Sequence, residues 1–90
     1  MKDYFIIYGV SDCPACLEAQ ADLMRLYPEK EYIFVSMDFS EKYRQIVKEK
    51  YSFYTLPVVV FVGDREETLI GGRTELFDYC EAIRRSSQAP

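Results

Sequence analysis

Cys13-Pro14-Ala15-Cys16 is the stretch of this sequence whose residue types and spacing could do chemistry. Two cysteines in a C-x-x-C can form a disulfide, exchange it with another thiol, or supply half of a shared metal site. The chain has three cysteines and no histidine. Without imidazole, Cys–His nucleophile pairs and mixed Cys/His zinc sites are excluded. A structural zinc would need a second ligand pair, and Cys80 alone does not provide one, so no metal site is expected within one chain. Three cysteines also do not make a secreted disulfide scaffold. Redox chemistry is the reading that remains, beside half of a metal site shared between chains.

Thiol exchange needs a thiolate, and an ordinary cysteine with a pKa of about 8.5 is mostly protonated at neutral pH. Cys13 falls at the expected N-cap of a helix, where free backbone N–H groups and the helix dipole favour negative charge. Pro14 suits the first helical position, since its missing N–H is no loss there. Cys16 lies one turn further on, within disulfide reach and more sheltered. Cys13 is therefore the expected nucleophile and Cys16 the resolving thiol. Asp12 works against this, because a neighbouring carboxylate disfavours a second negative charge; its plainer role is a solvated loop acid that helps the cap. Cys80 falls on an inward helical stripe and reads as a core residue rather than a regulatory thiol.

The elements that must position these residues follow in order. Tyr4 to Tyr8 is an apolar, β-rich strand ending at Gly9. Cys16, Ala19, Leu23, Leu26 and Tyr27 keep helical spacing until Pro28. Tyr32 to Met37 is a second strand. Ser40 caps a second helix with Tyr43, Ile46, Val47, Lys50 and Tyr51 on one face. Val58 to Val62 is the strongest strand; Gly63-Asp64-Arg65-Glu66 is a turn, and Glu67 to Ile70 returns as a hairpin. Thr74 is the expected N-cap of a last helix with Leu76, Cys80 and Ile83 inward. The order is β-α-β-α-β-β-α, an α/β fold with a four-stranded mixed sheet and three helices on both faces. Two β-α connections predict parallel neighbours, and the hairpin adds an antiparallel edge.

Ninety residues allow one domain, expected over 1–86 with a frayed tail at 87–90. The composition is 49% hydrophobic and 29% charged, which is globular and excludes disorder. A net charge of −4 with scattered lysine and arginine gives no nucleic-acid footprint. No apolar run reaches the roughly 20 residues of a membrane span. Met1-Lys2-Asp3 is followed directly by a strand, so no signal peptide is expected and the cytosol is the expected location.

Two further features could bind a ligand. Thr55-Leu56-Pro57 opens the strongest strand, where proline is tolerated; residue types leave open whether the Leu56–Pro57 bond is cis. Gly71-Gly72 before a helix gives close backbone access, a carboxylate site or simply an ordinary turn.

Taken together, the strand YFIIYG, Cys13-Pro14-Ala15-Cys16, Thr55-Leu56-Pro57-Val58 and Gly71-Gly72-Arg73-Thr74-Glu75-Leu76 resemble the glutaredoxins of the thioredoxin superfamily. In that family the ordered set is usually C-P-Y-C, T-V-P and G-G-x-D-D-L. The resemblance implies a thioredoxin-like fold and a glutathione-dependent thiol–disulfide oxidoreductase. It implies a cis Pro57 facing Cys13, with the Leu56 backbone pairing with the cysteinyl part of glutathione. The N–H groups of Arg73 and Thr74 would hold its γ-glutamyl carboxylate. Glutathione would be the reductant; the implied partners are disulfide-bearing or glutathionylated proteins, ribonucleotide reductase among the candidates, met by a monomer. Departures bear on glutathione: Val10 and Tyr54 stand where basic residues are common, Ala15 replaces the tyrosine, and Thr74 replaces the first aspartate. Arg73 could compensate with its charge, and Arg44 or Gln45 is the candidate for the glycine carboxylate.

Two other classes remain. A thioredoxin-like electron donor served by a flavin reductase fits the missing lysine at Val10. An iron–sulfur or metal carrier, with Cys13 lent by each of two chains, is opposed by Pro14 on the same resemblance.

Overall fold

Alternation of buried and half-exposed residues along Tyr4–Gly9 makes β1, with Phe5, Ile7 and Gly9 turned into one packed layer. The computed structural model describes residues 3–88, and at 87–88 the backbone only. After β1 come α1 (Pro14–Leu26), β2 (Glu31–Ser36), α2 (Glu41–Tyr51), β3 (Val58–Val62), β4 (Glu67–Gly71) and α3 (Arg73–Gln88). The order is the one expected from sequence. The expected end of the domain at 86 is passed by α3, which continues to Gln88; the rest of the expected frayed tail, 89–90, lies outside the described residues.

The four strands form one mixed sheet in the order β2-β1-β3-β4. Only the first β-α connection yields parallel neighbours: β1 and β2 are parallel, while β3 runs antiparallel to β1. The expectation of a second parallel pair is therefore corrected. Ser52 ends α2 in the left-handed conformation, and residues 52–57 bring the chain back to the end of the sheet where β1 finishes. Val58 consequently pairs with Tyr8. Helix and strand signals do not reveal which end of the sheet a connection returns to. This reversal puts Leu56 and Pro57 beside the loop that carries Cys13.

Helices α1 and α3 cover one face of the sheet around Phe5, Ile7, Ala19, Leu23, Leu26, Val59, Leu76 and Cys80. The Phe5 ring meets Tyr27, Phe61 and Tyr79 edge to face, a geometry that adds to simple area burial. On the other face α2 contributes Val47 to a cluster with Val10, Met37, Val58 and Val60. The expected inward face of α2 is only partly realised. Tyr43, Val47 and Tyr51, spaced four apart, point to the sheet, and Ile46 is 51% exposed because it falls to one side of that stripe. Among the described residues, no helix is long and apolar enough to cross a membrane.

Candidate active site

Strand β1 ends at Gly9, where no side chain fits. A Cβ at this position would lie 2.8 Å from Cys16 Sγ and 2.9 Å from Cys16 Cβ. The backbone thus passes directly against the second cysteine. The following loop is pinned to the end of β2: Met37 N–H donates to Gly9 O at 2.8 Å, and Ser11 N–H donates to Asp38 Oδ1 at 2.9 Å. That donation from Ser11 holds the Asp38 carboxyl below its ordinary range.

Cys13 is the N-cap of α1, with extended backbone dihedrals, and Pro14 occupies the first helical position. The Cys16 backbone N–H donates to Cys13 Sγ at 3.2 Å, so the sulfur takes the place that a serine or aspartate oxygen fills at other helices. The two sulfurs differ in exposure. Cys13 is half-buried and Cys16 is fully buried, both as free thiols. Burial, then the hydrogen bond with Cys13, pushes the Cys16 thiol up to about 12; the Val10 backbone N–H pulls the other way, and Asp12 adds the smallest upward push. Cys16 therefore stays a thiol while Cys13 holds the accessible position at the positive end of the helix. Cys80, 1% exposed, is pushed up to about 11 by burial and by the charges of Asp22 and Glu81, which makes it an inert core thiol.

The Leu56–Pro57 bond is cis, as the resemblance implies. Pro57 is buried, and Leu56 packs against the same cluster as Cys13. Four of the expected site residues, Cys13, Cys16, Leu56 and Pro57, thus meet at one end of the sheet.

Arg73 and Thr74 open α3, which starts at the end of β4 nearest β1's last residues, since Gly71 pairs with Val59 and Val59 with Ile7. Gly71 has a φ of +127°, a conformation reserved for glycine. Thr74 is not the N-cap. Gly72 takes that position, its carbonyl accepting from Leu76 N–H at 3.0 Å and its N–H donating to Glu75 Oε1 at 2.8 Å. Glu at the third helical position reaches back to the cap, one half of a capping box, and this decides the start two residues earlier than a threonine cap would. Arg73, Thr74 and Phe77 line a cavity of about 210 Å³. The Arg73 guanidinium reaches to α1, where Nε donates to Asp22 at 3.0 Å. Val10 is buried and Tyr54 is 59% exposed. Arg44 lies 4.0 Å from Glu41, and Gln45 is exposed. A second depression of about 460 Å³, lined by Tyr4, Pro28, Lys30 and Ile33 among others, contains no thiol.

Two residues of this region escape the sequence reading. Asp22 lies on the buried stripe of α1, and its signal was a charge three positions after Ala19 and four before Leu26. Glu75 was legible as the third residue after a possible glycine cap.

No protein-family model matches the chain, and no curated protein matches it in sequence. Solved structures do. The solution structure of a glutaredoxin from Brucella melitensis superposes with a TM-score of 0.67 over 96% of this chain and 87% of that one, at 21% identity. The chain has the glutaredoxin fold. Oxidized glutaredoxin 2 from Chlamydomonas reinhardtii gives 0.66 over 94% and 78% of the two chains at 14% identity. A chloroplastic thioredoxin z gives 0.59 over 93% and 80% at 11% identity. Within this fold, a capping thiol beside a buried one has the arrangement that thiol–disulfide exchange requires.

Proposed function

We propose that the chain is a glutathione-dependent thiol–disulfide oxidoreductase acting through Cys13 and Cys16. The observation that carries this reading is the asymmetry of the dithiol: Cys13 Sγ caps α1 and receives the Cys16 N–H, while Cys16 is sealed and protonated. The glutaredoxin neighbours support it through the shared fold.

Against a glutathione mixed disulfide, the Cys13 thiolate attacks the glutathione sulfur. The substrate leaves as its thiolate, and Cys13 carries the glutathionyl group. A second glutathione thiolate attacks that bond, regenerating Cys13 and releasing oxidized glutathione. Against a protein disulfide, Cys13 forms a mixed disulfide with one protein sulfur. Cys16 loses its proton and displaces the protein's thiolate, leaving a Cys13–Cys16 bond that two glutathione molecules reduce. Holding Cys16 protonated until then keeps it from competing as nucleophile. The Leu56 backbone is the proposed partner of the cysteinyl portion, and the Arg73 and Thr74 N–H groups of the γ-glutamyl carboxylate. Glutathionylated or disulfide-bearing proteins, including ribonucleotide reductase, are the proposed partners, and the cytosol the proposed location.

The test is turnover of a glutathione mixed disulfide with glutathione as sole reductant. Wild type and Cys16→Ser turn over, Cys13→Ser falls to background on every substrate, and Cys16→Ser keeps this activity while losing reduction of protein disulfides. Equal loss in Cys13→Ser and Cys16→Ser on the mixed disulfide sinks the one-cysteine route. A second reading, an electron donor reduced by a flavin enzyme, is favoured by the buried Val10 and by the Glu75 carboxylate on Gly72 N–H, both of which subtract from anion binding. Turnover with a thioredoxin reductase and none with glutathione decides for it.

A further inference from the structure

Two residues sit where their own helices disfavour them, and each supplies what the other lacks. Asp22 lies on the buried stripe of α1 among Ala19, Leu23 and Leu26 and is 5% exposed. A carboxylate there loses its water and needs charged donors in return. Arg73 is the first residue of α3, where the positive end of the helix disfavours a cation. Its guanidinium reaches across to α1: Nε donates to Asp22 Oδ2 at 3.0 Å, and a terminal nitrogen lies 3.6 Å from Glu18 Oε1. Arg25 donates to the other Asp22 oxygen at 2.9 Å, so both oxygens are used. Among the described residues, every ion pair between α1 and α3 runs through Arg73.

We propose that Asp22 is a positioning residue: by holding Arg73 it locks the first turn of α3 against α1, and so fixes the distance between the Cys13 thiol and the N-terminal amides of α3. The kinetic consequence rests on the glutathione reading; the structural one does not. Both termini belong to helices packed on the same face of the sheet. Each helix brings one half of the proposed site, Cys13 at the start of α1 and Arg73 and Thr74 at the start of α3. A ligand that spans the two must meet both at once, so a displaced start of α3 weakens its binding while leaving the Cys13 thiol in place.

The experiment uses Asp22→Asn, which keeps the shape and removes the charge, Arg73→Gln, and the double variant. Three quantities are measured: kinetics on a glutathione mixed disulfide, dithiothreitol-driven reduction of insulin, and amide exchange at Gly72 and Leu76, the latter bonded to Gly72 O. The expected result for Asp22→Asn is a KM for the mixed disulfide raised about tenfold, the scale of one charge-assisted hydrogen bond, with kcat within about twofold. Insulin reduction by Asp22→Asn, which needs the dithiol alone, is unchanged, and exchange accelerates at Gly72 and Leu76 in both single variants but not in β1. The double variant adds nothing to Arg73→Gln, because Asp22 acts through Arg73. Additive effects, an unchanged KM, or loss of insulin reduction in step with the mixed disulfide overturns the proposal. If Asp22→Asn does not fold, amide exchange in Arg73→Gln decides: acceleration at Gly72 and Leu76 supports the lock, and unchanged exchange overturns it. If the wild type fails to turn over glutathione, that reading falls, and exchange decides: acceleration confined to the first turn of α3 supports the lock, and unchanged exchange overturns it.

Discussion

The N-termini of α1 and α3 face the same end of the sheet, and each is entered from a strand that ends in glycine: Gly9 for α1 and Gly71 for α3. At α1 the capping atom is Cys13 Sγ, an exchangeable sulfur. At α3 it is a carboxylate oxygen of Glu75, supplied from within the helix and committed to Gly72 N–H. The glycines serve different ends as well. Gly9 is there for space, since Cys16 lies against it; Gly71 is there for conformation, with φ at +127°. The same local problem, free N–H groups at a helix start, is thus solved once with a reactive group and once with an inert one. A helix N-terminus by itself does not make a reactive site; the cap residue decides whether its positive field acts on chemistry or on stability.

The largest effects that separate the two corners come from filling the glycines. Gly71→Ala forces a side chain into a left-handed conformation and against Glu75, with Cβ 2.7 Å from the Glu75 Cβ. A loss of about 3 kcal/mol is expected, read as a lower denaturation midpoint with unchanged slope. Gly9→Ala costs about 2 kcal/mol by overpacking against Cys16. It alone lowers kcat for protein disulfides, because it displaces the resolving thiol. Equal kcat losses in the two variants would break the comparison.

Alkaline pH comes next. Cys16, at about 12, and Cys80, at about 11, are both raised above the ordinary thiol range, chiefly by burial. Groups raised on folding stabilise fully below the unfolded value and lose that contribution as pH rises through the folded one. The denaturation midpoint therefore falls from about pH 9 upward. Removing one buried thiol as Cys80→Ala flattens that fall, and an identical pH dependence in the variant would contradict the assignment.

The smallest effect is at the inert cap. Glu75→Ala leaves Gly72 N–H without its partner and costs about 1 kcal/mol, or roughly 4–8 °C in Tm for a domain this small. Glu75→Gln, which keeps an acceptor, loses less. Thermal unfolding of both variants checks the order.

Much of the fold was legible because apolar periodicity and turn residues act locally. Cys13 as N-cap, Ser40 as N-cap, the run from Val58 to Val62 and the hairpin after it all appear where the residue types put them. The misreadings share a cause. Thr74 looked like a cap by type, but Glu75 and Gly72 close the helix start two residues earlier. Ile46 kept helical spacing with its neighbours, yet the sheet accepts only the stripe through Val47. The direction of β3 depends on where residues 52–57 return the chain, and no local signal encodes that. Arg73 looked available to a ligand until Asp22 and Glu18, distant in sequence, were found to occupy its guanidinium.

The sequence by itself determined the order of elements, the pair of cysteines and the asymmetry between them, because a helix N-cap followed one turn later by an inward residue is a local arrangement. Only the tertiary structure decided how far that asymmetry goes. Burial of Cys16 against Gly9 sets its thiol far above the ordinary value, and burial is a property of what packs around a residue. It also decided that β3 runs antiparallel to β1, which brings the cis Pro57 to the dithiol. The α1–α3 contact was decided there too, since Asp22 and Arg73 are 51 residues apart and meet only when both helices pack on one face of the sheet.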